Sequence, residues 1–310
     1  MISAVVPVYN EQESLQAFYK ALVSSLSKMN EAFEIIFIDD GSTDSSLKIL
    51  KQFAGTNSKV RIYSFRKRSG KAEALTLGFQ KAKGDYIVTL DADLQDRPQE
   101  ISKLYKKAKK ESWDVVCGWR KERKDTNIKV FSSRLFNSLV SIFWGLKLHD
   151  YNSGLKVYSK EAAKSLNLYG GMHRFIPLLV YDQGFSVTEM AVEHDGRRYG
   201  ESKYGSLKII KDIPDIFTML FLTKYAKRPL HLFGLIGGIF LLAGIIISIY
   251  LTVLHFQGYT ISRRPLLFLG MLLIISGFQV LFTGFLADLI INLSNKGDKE
   301  FSVKYSTKEK

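Results

Sequence analysis

The chain has 310 residues, 46% of them hydrophobic and 24% charged, with one cysteine; 44 Lys and Arg against 30 Asp and Glu leave it at +14. That apolar content excludes a disordered chain, and a single cysteine excludes both an intramolecular disulfide framework and a zinc site built on several thiolates. The basic balance points to an anionic partner, whether nucleic acid, acidic headgroups or phosphorylated small molecules, and composition does not choose among them.

Met1 leads directly into an apolar run with no basic segment before it, so no signal peptide is expected. Ala4-Val5-Val6 is a first short strand, ended by Pro7. Phe33 to Ile38 is a second, ended by Asp39-Asp40-Gly41. Val60 to Phe65 is a third, Tyr86 to Leu90 a fourth ended by Asp91, and Asp114 to Cys117 a fifth. Helical patterns lie between them at Ser14–Ser27, Thr43–Phe53, Lys71–Ala82 and Pro98–Lys110, the last opening on a proline suited to the first helical turn. Short apolar strands alternating with helices predict an α/β domain whose mostly parallel sheet is covered on both faces. Ligands of such sheets bind beyond the carboxyl ends of the strands.

The strand ends carry a consistent set of polar residues. They are Pro7-Val8-Tyr9-Asn10-Glu11, Asp39-Asp40-Gly41-Ser42-Thr43-Asp44 and Asp91-Ala92-Asp93-Leu94-Gln95-Asp96. A lone Asp-x-Asp is usually a solvated turn. Three acidic strand ends together would repel one another, and a divalent cation with a nucleotide is the economical remedy, because Mg²⁺ takes one or two carboxylates plus phosphate oxygens. In an extended segment Asp91, Asp93 and Gln95 point to one side.

The C-terminal third reads differently. Pro229–Leu254 and Pro265–Ala287 contain no Asp, Glu, Lys or Arg, and a spanning helix needs roughly 20 apolar residues. The short join between them makes a transmembrane hairpin. Lys224, Lys227 and Arg228 precede it, Lys296, Lys299 and Lys304 follow it, and the loop offers Arg263 and Arg264. This asymmetry favours a cytoplasmic N-terminal domain at the cell membrane. Gly234 and Gly238 form a Gly-x-x-x-Gly pair suited to packing spans. Apolar residues also recur at helical spacing over Val130–Leu148 and Ile209–Tyr225. Either stretch could face a core or lie in the membrane interface, and the second, which leads into the first span, favours the interface.

Some signals are set aside. Ser69-Gly70-Lys71 lacks the upstream Gly and the following Ser/Thr of a P-loop. Arg66-Lys67-Arg68 is a solvated or phosphate-facing run, so no nucleic-acid partner is expected. The five histidines show no metal-ligand spacing, and His173 and His194 read as structural.

Taken in order, Pro-Val-Tyr-Asn-Glu, Asp-Asp-Gly-Ser-Thr-Asp, Gly70-Lys71-Ala72 with Ala74 and Gly78, Asp-Ala-Asp-Leu-Gln-Asp, Asp150-Tyr151-Asn152-Ser153-Gly154 and Arg197-Arg198-Tyr199-Gly200-Glu201-Ser202-Lys203 resemble a family 2 glycosyltransferase with a GT-A fold. More narrowly, the chain is similar to polyprenyl-phosphate glycosyltransferases of the dolichol-phosphate mannose synthase and bacterial GtrB type. The resemblance implies a catalytic domain over 1–205, an interfacial linker over 206–228, two transmembrane helices over 229–292 and a charged tail over 293–310. It implies an inverting transfer of a sugar from a UDP- or GDP-sugar to a polyprenyl phosphate, with Mg²⁺ or Mn²⁺, at the lipid bilayer, by a homo-oligomer that would be a tetramer. Pro7, Tyr9, Glu11, Asp39, Asp40 and Lys71 would meet the nucleotide sugar. Asp91 and Asp93 would hold it through ribose and metal, with Asp93 and Gln95 the favoured metal ligands. Asp93, Asp150 and Arg197 would be catalytic, Asp150 either as a base or, preferably, by orienting sugar hydroxyls. Arg120, Arg134, Ser153, Arg197, Ser202 and Lys203 would meet the acceptor phosphate. The sugar stays open, and uridine is preferred over guanosine on the resemblance alone. Two other readings stay open: a related membrane transferase with a glycolipid or polysaccharide acceptor, and a non-catalytic scaffold.

Overall fold

The computed structural model describes residues 1–121, 141, 144–195, 218, 221–225, 228–260 and 265–294. Arg134, Arg197, Ser202 and Lys203 lie outside the described residues, as do most of the stretches 130–148 and 209–225 and the tail from 295 onward. The chain divides into two compact units, Met1–Asp215 and Ile216–Lys310.

The first unit is a seven-stranded sheet. Its strands are β1 (Ile2–Val8), β2 (Phe33–Asp39), β3 (Val60–Ser64), β4 (Tyr86–Thr89), β5 (Val115–Arg120), β6 (Lys156–Ser159) and β7 (Val187–Val192), in the order β3-β2-β1-β4-β6-β5-β7. The β1/β2, β2/β3, β1/β4 and β5/β7 pairs are parallel, while β6 runs antiparallel to both β4 and β5. Five strands were expected; β6 and β7 are additional. Both are short and amphipathic, so neither carries the long apolar run that marks β2, which is buried at every position.

Helices α1 (Leu15–Ser27), α2 (Ser46–Thr56), α3 (Lys71–Lys81) and α4 (Ile101–Glu111) form close to their expected places. Pro98–Glu100 is a separate 3₁₀ turn rather than the start of α4. The core is made where α1, α2 and α4 cover the sheet, with Phe18, Leu22, Phe37, Leu50, Leu104 and Val157 among its members. Register sets the site. Val8 lies opposite Asp39, and β4 ends at Thr89 beside Val5, so the carboxyl ends of β1, β2 and β4 open side by side.

In the second unit, helices Pro229–Phe256 and Pro265–Ser294 pack along each other. Both are long and apolar enough to cross a membrane, with mean hydropathy of 2.6 and 2.2. Leu235, Leu242, Ile246, Phe268, Leu272 and Ile275 are exposed along them, unlike the side chains of a core helix. Their contact runs through Gly237 against Gly277 and Gly244 against Gly270. The Gly234/Gly238 pair singled out in the sequence does not make it: Gly238 has open space where a side chain would be. Within the hairpin, the close approach belongs to the neighbouring face of the helix.

Candidate active site

The loops after β1 and β2 are stitched together. Asn10 N–H donates to Ser42 Oγ at 3.0 Å, Thr43 N–H donates to Asn10 Oδ1 at 2.8 Å, and Glu11 N–H donates to Ser46 Oγ at 2.9 Å. These bonds hold Asn10 at φ 52°, a left-handed conformation that Asn tolerates through its short polar side chain. Tyr9 lies under the Arg68 guanidinium, 4.3 Å from its ring centroid. Asp39 and Asp40 are buried and act as acceptors for the surrounding loops. Asp39 takes the Ser42 amide at 3.2 Å and the Ser64 hydroxyl at 2.6 Å. Asp40 Oδ1 takes the amides of Ser69 and Gly70 at 2.7 and 2.9 Å, which fixes the entry to α3.

Lys71, at the first position of α3, reaches back across the strand ends, and its Nζ is 2.5 Å from Asp91 Oδ1. Enclosure in the cleft raises the Asp91 carboxyl, but the charges around it, Lys71 foremost, together lower it by more, so it lies below its ordinary range. The Asp93–Gln95 turn closes with Gln95 N–H donating to Asp93 Oδ1 at 3.1 Å and pivots on Leu94 at φ 60°. A non-glycine residue held there costs on the order of 1–3 kcal/mol, and such strain clusters at functional sites. Asp91 Oδ1 pairs with Lys71 and Asp93 Oδ1 accepts the Gln95 amide, so each of the two expected carboxylate ligands has one oxygen engaged within the protein. Among the described residues no group of three His, Cys, Asp or Glu converges as a closed metal cage. Asp93 and Gln95 fit an ion of the Mg²⁺ or Mn²⁺ kind, which keeps sites for phosphate oxygens and water.

The turn is fastened from two sides. Gly154 presses on it so closely that a Cβ there would lie 2.5 Å from Asp96 Oδ2 and 2.8 Å from Asp91 Oδ2. On the other side Asp96 bridges to His194, whose Nδ1 is 3.4 Å from Asp96 Oδ1, and Asp195 N–H donates to Gln95 O at 3.0 Å. Arg97 holds Asp195 through two bonds, at 2.8 and 2.6 Å, and also pairs with Glu193.

The structure brings Pro7, Lys71, Asp91 and Ser153 into one cleft wall, completed by Thr89, Asn152, Gly154, Lys156, Tyr158 and His173. Ser153 is buried, and its hydroxyl donates inward to Leu155 O at 3.4 Å, because the segment turns there into β6. Arg120 and Asp150 were assigned to different substrates, yet they form one bidentate pair: Arg120 Nε and Nη2 donate to Asp150 Oδ2 and Oδ1 at 2.7 and 3.1 Å. Asp150 is 1% exposed, so the pair is a buried one.

Two further wall residues are not among the expected site residues. Lys156 on β6 is buried, with Nζ donating to Ser153 O, and burial lowers its ammonium from the ordinary value. His173, read as structural, faces the same cleft, where enclosure and then Lys71 push it down to about 3, so it is neutral. The buried Lys in Gly-Leu-Lys-Val could have been noticed, because a charged residue between apolar strand positions needs a polar reason to be there. Nothing local marked His173.

Glycosyl transferase family 2 is the family model that matches, over residues 3–166. The dodecaprenyl-phosphate galacturonate synthase of Rhizobium johnstonii is 35% identical over 96% of this chain and 89% of its own length. The undecaprenyl-phosphate 4-deoxy-4-formamido-L-arabinose transferase of Pseudomonas aeruginosa is 32% identical over 94% of this chain and 85% of its own. Among solved structures, glucosyl-3-phosphoglycerate synthase from Mycobacterium tuberculosis, in complex with Mn²⁺, UDP-glucose and phosphoglyceric acid, has a TM-score of 0.52 at 18% identity, covering 72% of this chain and 79% of that one. That likeness concerns the fold, which is the expected GT-A arrangement. With the family model over residues 3–166 and relatives along nearly the whole chain, this protein belongs to glycosyl transferase family 2 and is a glycosyltransferase.

Proposed function

We propose that this glycosyltransferase moves one sugar from a nucleotide donor to a polyprenyl phosphate at the cytoplasmic face of the membrane, with inversion at the anomeric carbon. The observation that carries the reading is the extent of similarity to two polyprenyl-phosphate sugar transferases, which runs through the catalytic unit and on into the two apolar helices.

The chemistry suits the residues. The acceptor is a phosphate monoester with a second pKa of about 6, so its oxygen is already anionic near neutral pH and needs little help from a base. That oxygen bonds to the anomeric carbon from the face opposite the nucleotide. The bond from that carbon to the β-phosphate oxygen breaks, and the nucleoside diphosphate leaves with the electron pair. The remaining requirement is positioning. Tyr9 and the loop held by Asp39 and Asp40 take the base and ribose, with uridine preferred. Lys71 and Asp91 frame the diphosphate side. Asp150, with both oxygens engaged by Arg120, orients rather than abstracts. Arg134, Arg197, Ser202 and Lys203 are assigned to the phosphates by resemblance alone. A divalent ion held by Asp93 and Gln95 would supply neutralisation of charge on the departing diphosphate.

The test is to incubate the full chain in detergent with undecaprenyl phosphate, Mg²⁺ or Mn²⁺ and a panel of sugar nucleotides, then weigh the extracted lipids by mass spectrometry. A lipid heavier by one sugar, and absent with Asp93→Asn, is the expected result. Donor binding without any glycolipid would refute the acceptor.

A further inference from the structure

We infer that Glu189 is a positioning residue for Asp150, an inference that rests on the function proposed above. Glu189 stands on β7 opposite Cys117 of β5, in a parallel pairing whose last register couple is Arg120 with Val192. The loop bearing Asp150 is therefore held by two neighbouring strands of one sheet. From β5, Arg120 grips the Asp150 carboxylate. From β7, Glu189 grips its backbone: Oε2 accepts the His149 amide at 2.8 Å and the Asp150 amide at 3.4 Å, while Oε1 meets His149 Nδ1. The Glu189 side chain is only 14% exposed, and the His149 ring it holds is stacked on Trp119 of β5, centroids 4.2 Å apart. Lys107 of α4 donates to the Glu189 carbonyl at 3.0 Å and fixes the strand itself.

A carboxylate on which two amides and an imidazole converge makes charge-assisted bonds, here short to the His149 amide and longer to the Asp150 amide that follows it. It stands on a sheet rather than a loop, as precise placement of a first contact demands. Glu189 fixes where the Asp150 backbone lies, Arg120 fixes which way its carboxylate faces, and neither bond can set the other's geometry. The assigned functional residues in this region are Arg120 and Asp150; Glu189 is the third member that completes their arrangement.

The experiment compares wild type, Glu189→Ala and Glu189→Gln in full-length form, measuring glycolipid formation, donor KM, donor binding and thermal melting. Removing the acceptor lets the loop drift, and a misplacement near 1 Å costs about 100-fold in rate. The expected result is a kcat lower by roughly 10- to 100-fold in Glu189→Ala with donor KM within about threefold of wild type. Glu189→Gln keeps an acceptor for the amides and should recover most of the loss. Equal kcat in all three proteins would overturn the inference. So would a parallel loss of donor binding and kcat that Gln does not rescue, since that marks a general structural role. Failure of the wild type itself to make glycolipid would overturn the proposed function, and this inference with it, and is told apart by appearing before any substitution.

Discussion

Substituting Gly154 by alanine puts a methyl group where the Asp91–Asp96 turn already lies. The new carbon would be 2.5 Å from Asp96 Oδ2, 2.8 Å from Asp91 Oδ2 and 2.9 Å from Asp91 Cγ. Ordinary carbon–oxygen contact starts near 3.4 Å, so the carboxylates must retreat by roughly 0.6–0.9 Å, in a close-packed surrounding where overpacking costs about 1–3 kcal/mol. The retreat is opposed on both sides. Lys71 holds Asp91 at 2.5 Å, and the Asp96–His194 bridge and the Arg97–Asp195 pair hold the far end. The shift is therefore directed into Asp91 and the adjoining Asp93–Gln95 turn. A displacement approaching 1 Å in a catalytic turn lowers turnover by about 100-fold, so Gly154→Ala should lose one to two orders of magnitude in kcat and bind Mn²⁺ with donor more weakly, while melting only a few degrees lower. Sugar transfer assayed by nucleotide release, with metal binding followed separately, tests this. Wild-type turnover and metal affinity in Gly154→Ala would refute the close-approach argument.

Three further outcomes follow from buried charges and from the hairpin. Arg120→Ala leaves the Asp150 carboxylate, 1% exposed, without its guanidinium, which costs about 3–5 kcal/mol; Asp150→Asn keeps one acceptor oxygen for Arg120 and leaves the uncompensated charge on the more exposed partner, 17% against 1%, so it should destabilise less, as equilibrium denaturation will show. Glu34, buried beside Ser3, Arg61 and the Lys83 amide, is raised by burial but lowered by more through those bonds, so its folded pKa lies below the unfolded value of about 4.3. Its contribution is present above that value and lost as pH falls through the folded pKa, so Glu34→Gln should lower stability at pH 7 and flatten the acid side of the stability–pH curve. In the hairpin, a Cβ on Gly277 would lie 2.7 Å from Leu241 Cγ and 2.9 Å from Gly237 O, so Gly277→Leu should lower the melting temperature in detergent, whereas Gly238→Ala, with open space around it, should not.

The left half of the sheet was legible because its chemistry is local. Each of β1, β2 and β4 is a compact apolar run that stops at a polar signal, and the helices between them show their period. The hairpin was legible for the same reason, since a long charge-free segment announces itself. β6 and β7 were not, because their stability comes from pairing with β5 and β4 rather than from their own composition. The cleft followed the same division. Asp91, Lys71 and Pro7 stand at strand and helix ends and could be placed by position alone. The pairing of Arg120 with Asp150, the inward turn of Ser153 and the facing of His173 depend on where the antiparallel β6 returns, which no local pattern records.

The hydrogen bonds and ion pairs also revise the reason for expecting a metal. Three acidic strand ends, read from sequence, call for a cation to keep them together. The structure answers most of that charge from within: Asp40 is held by two loop amides, Asp39 by an amide and a hydroxyl, Asp91 by Lys71, and Asp150 by Arg120. Carboxylates supplied in this way have their lone pairs engaged within the protein. What favours a metal is narrower, namely a strained turn that carries Asp93 and Gln95 directly after Asp91, which is paired with Lys71. An ion held there would serve the substrate more than the protein, because Mg²⁺ and Mn²⁺ are commonly bound by one or two protein ligands together with substrate phosphates. Chelation should therefore abolish transfer while leaving the melting temperature of the substrate-free protein unchanged. A large fall in melting temperature on chelation would return the metal to the structural role that the strand-end charges first suggested.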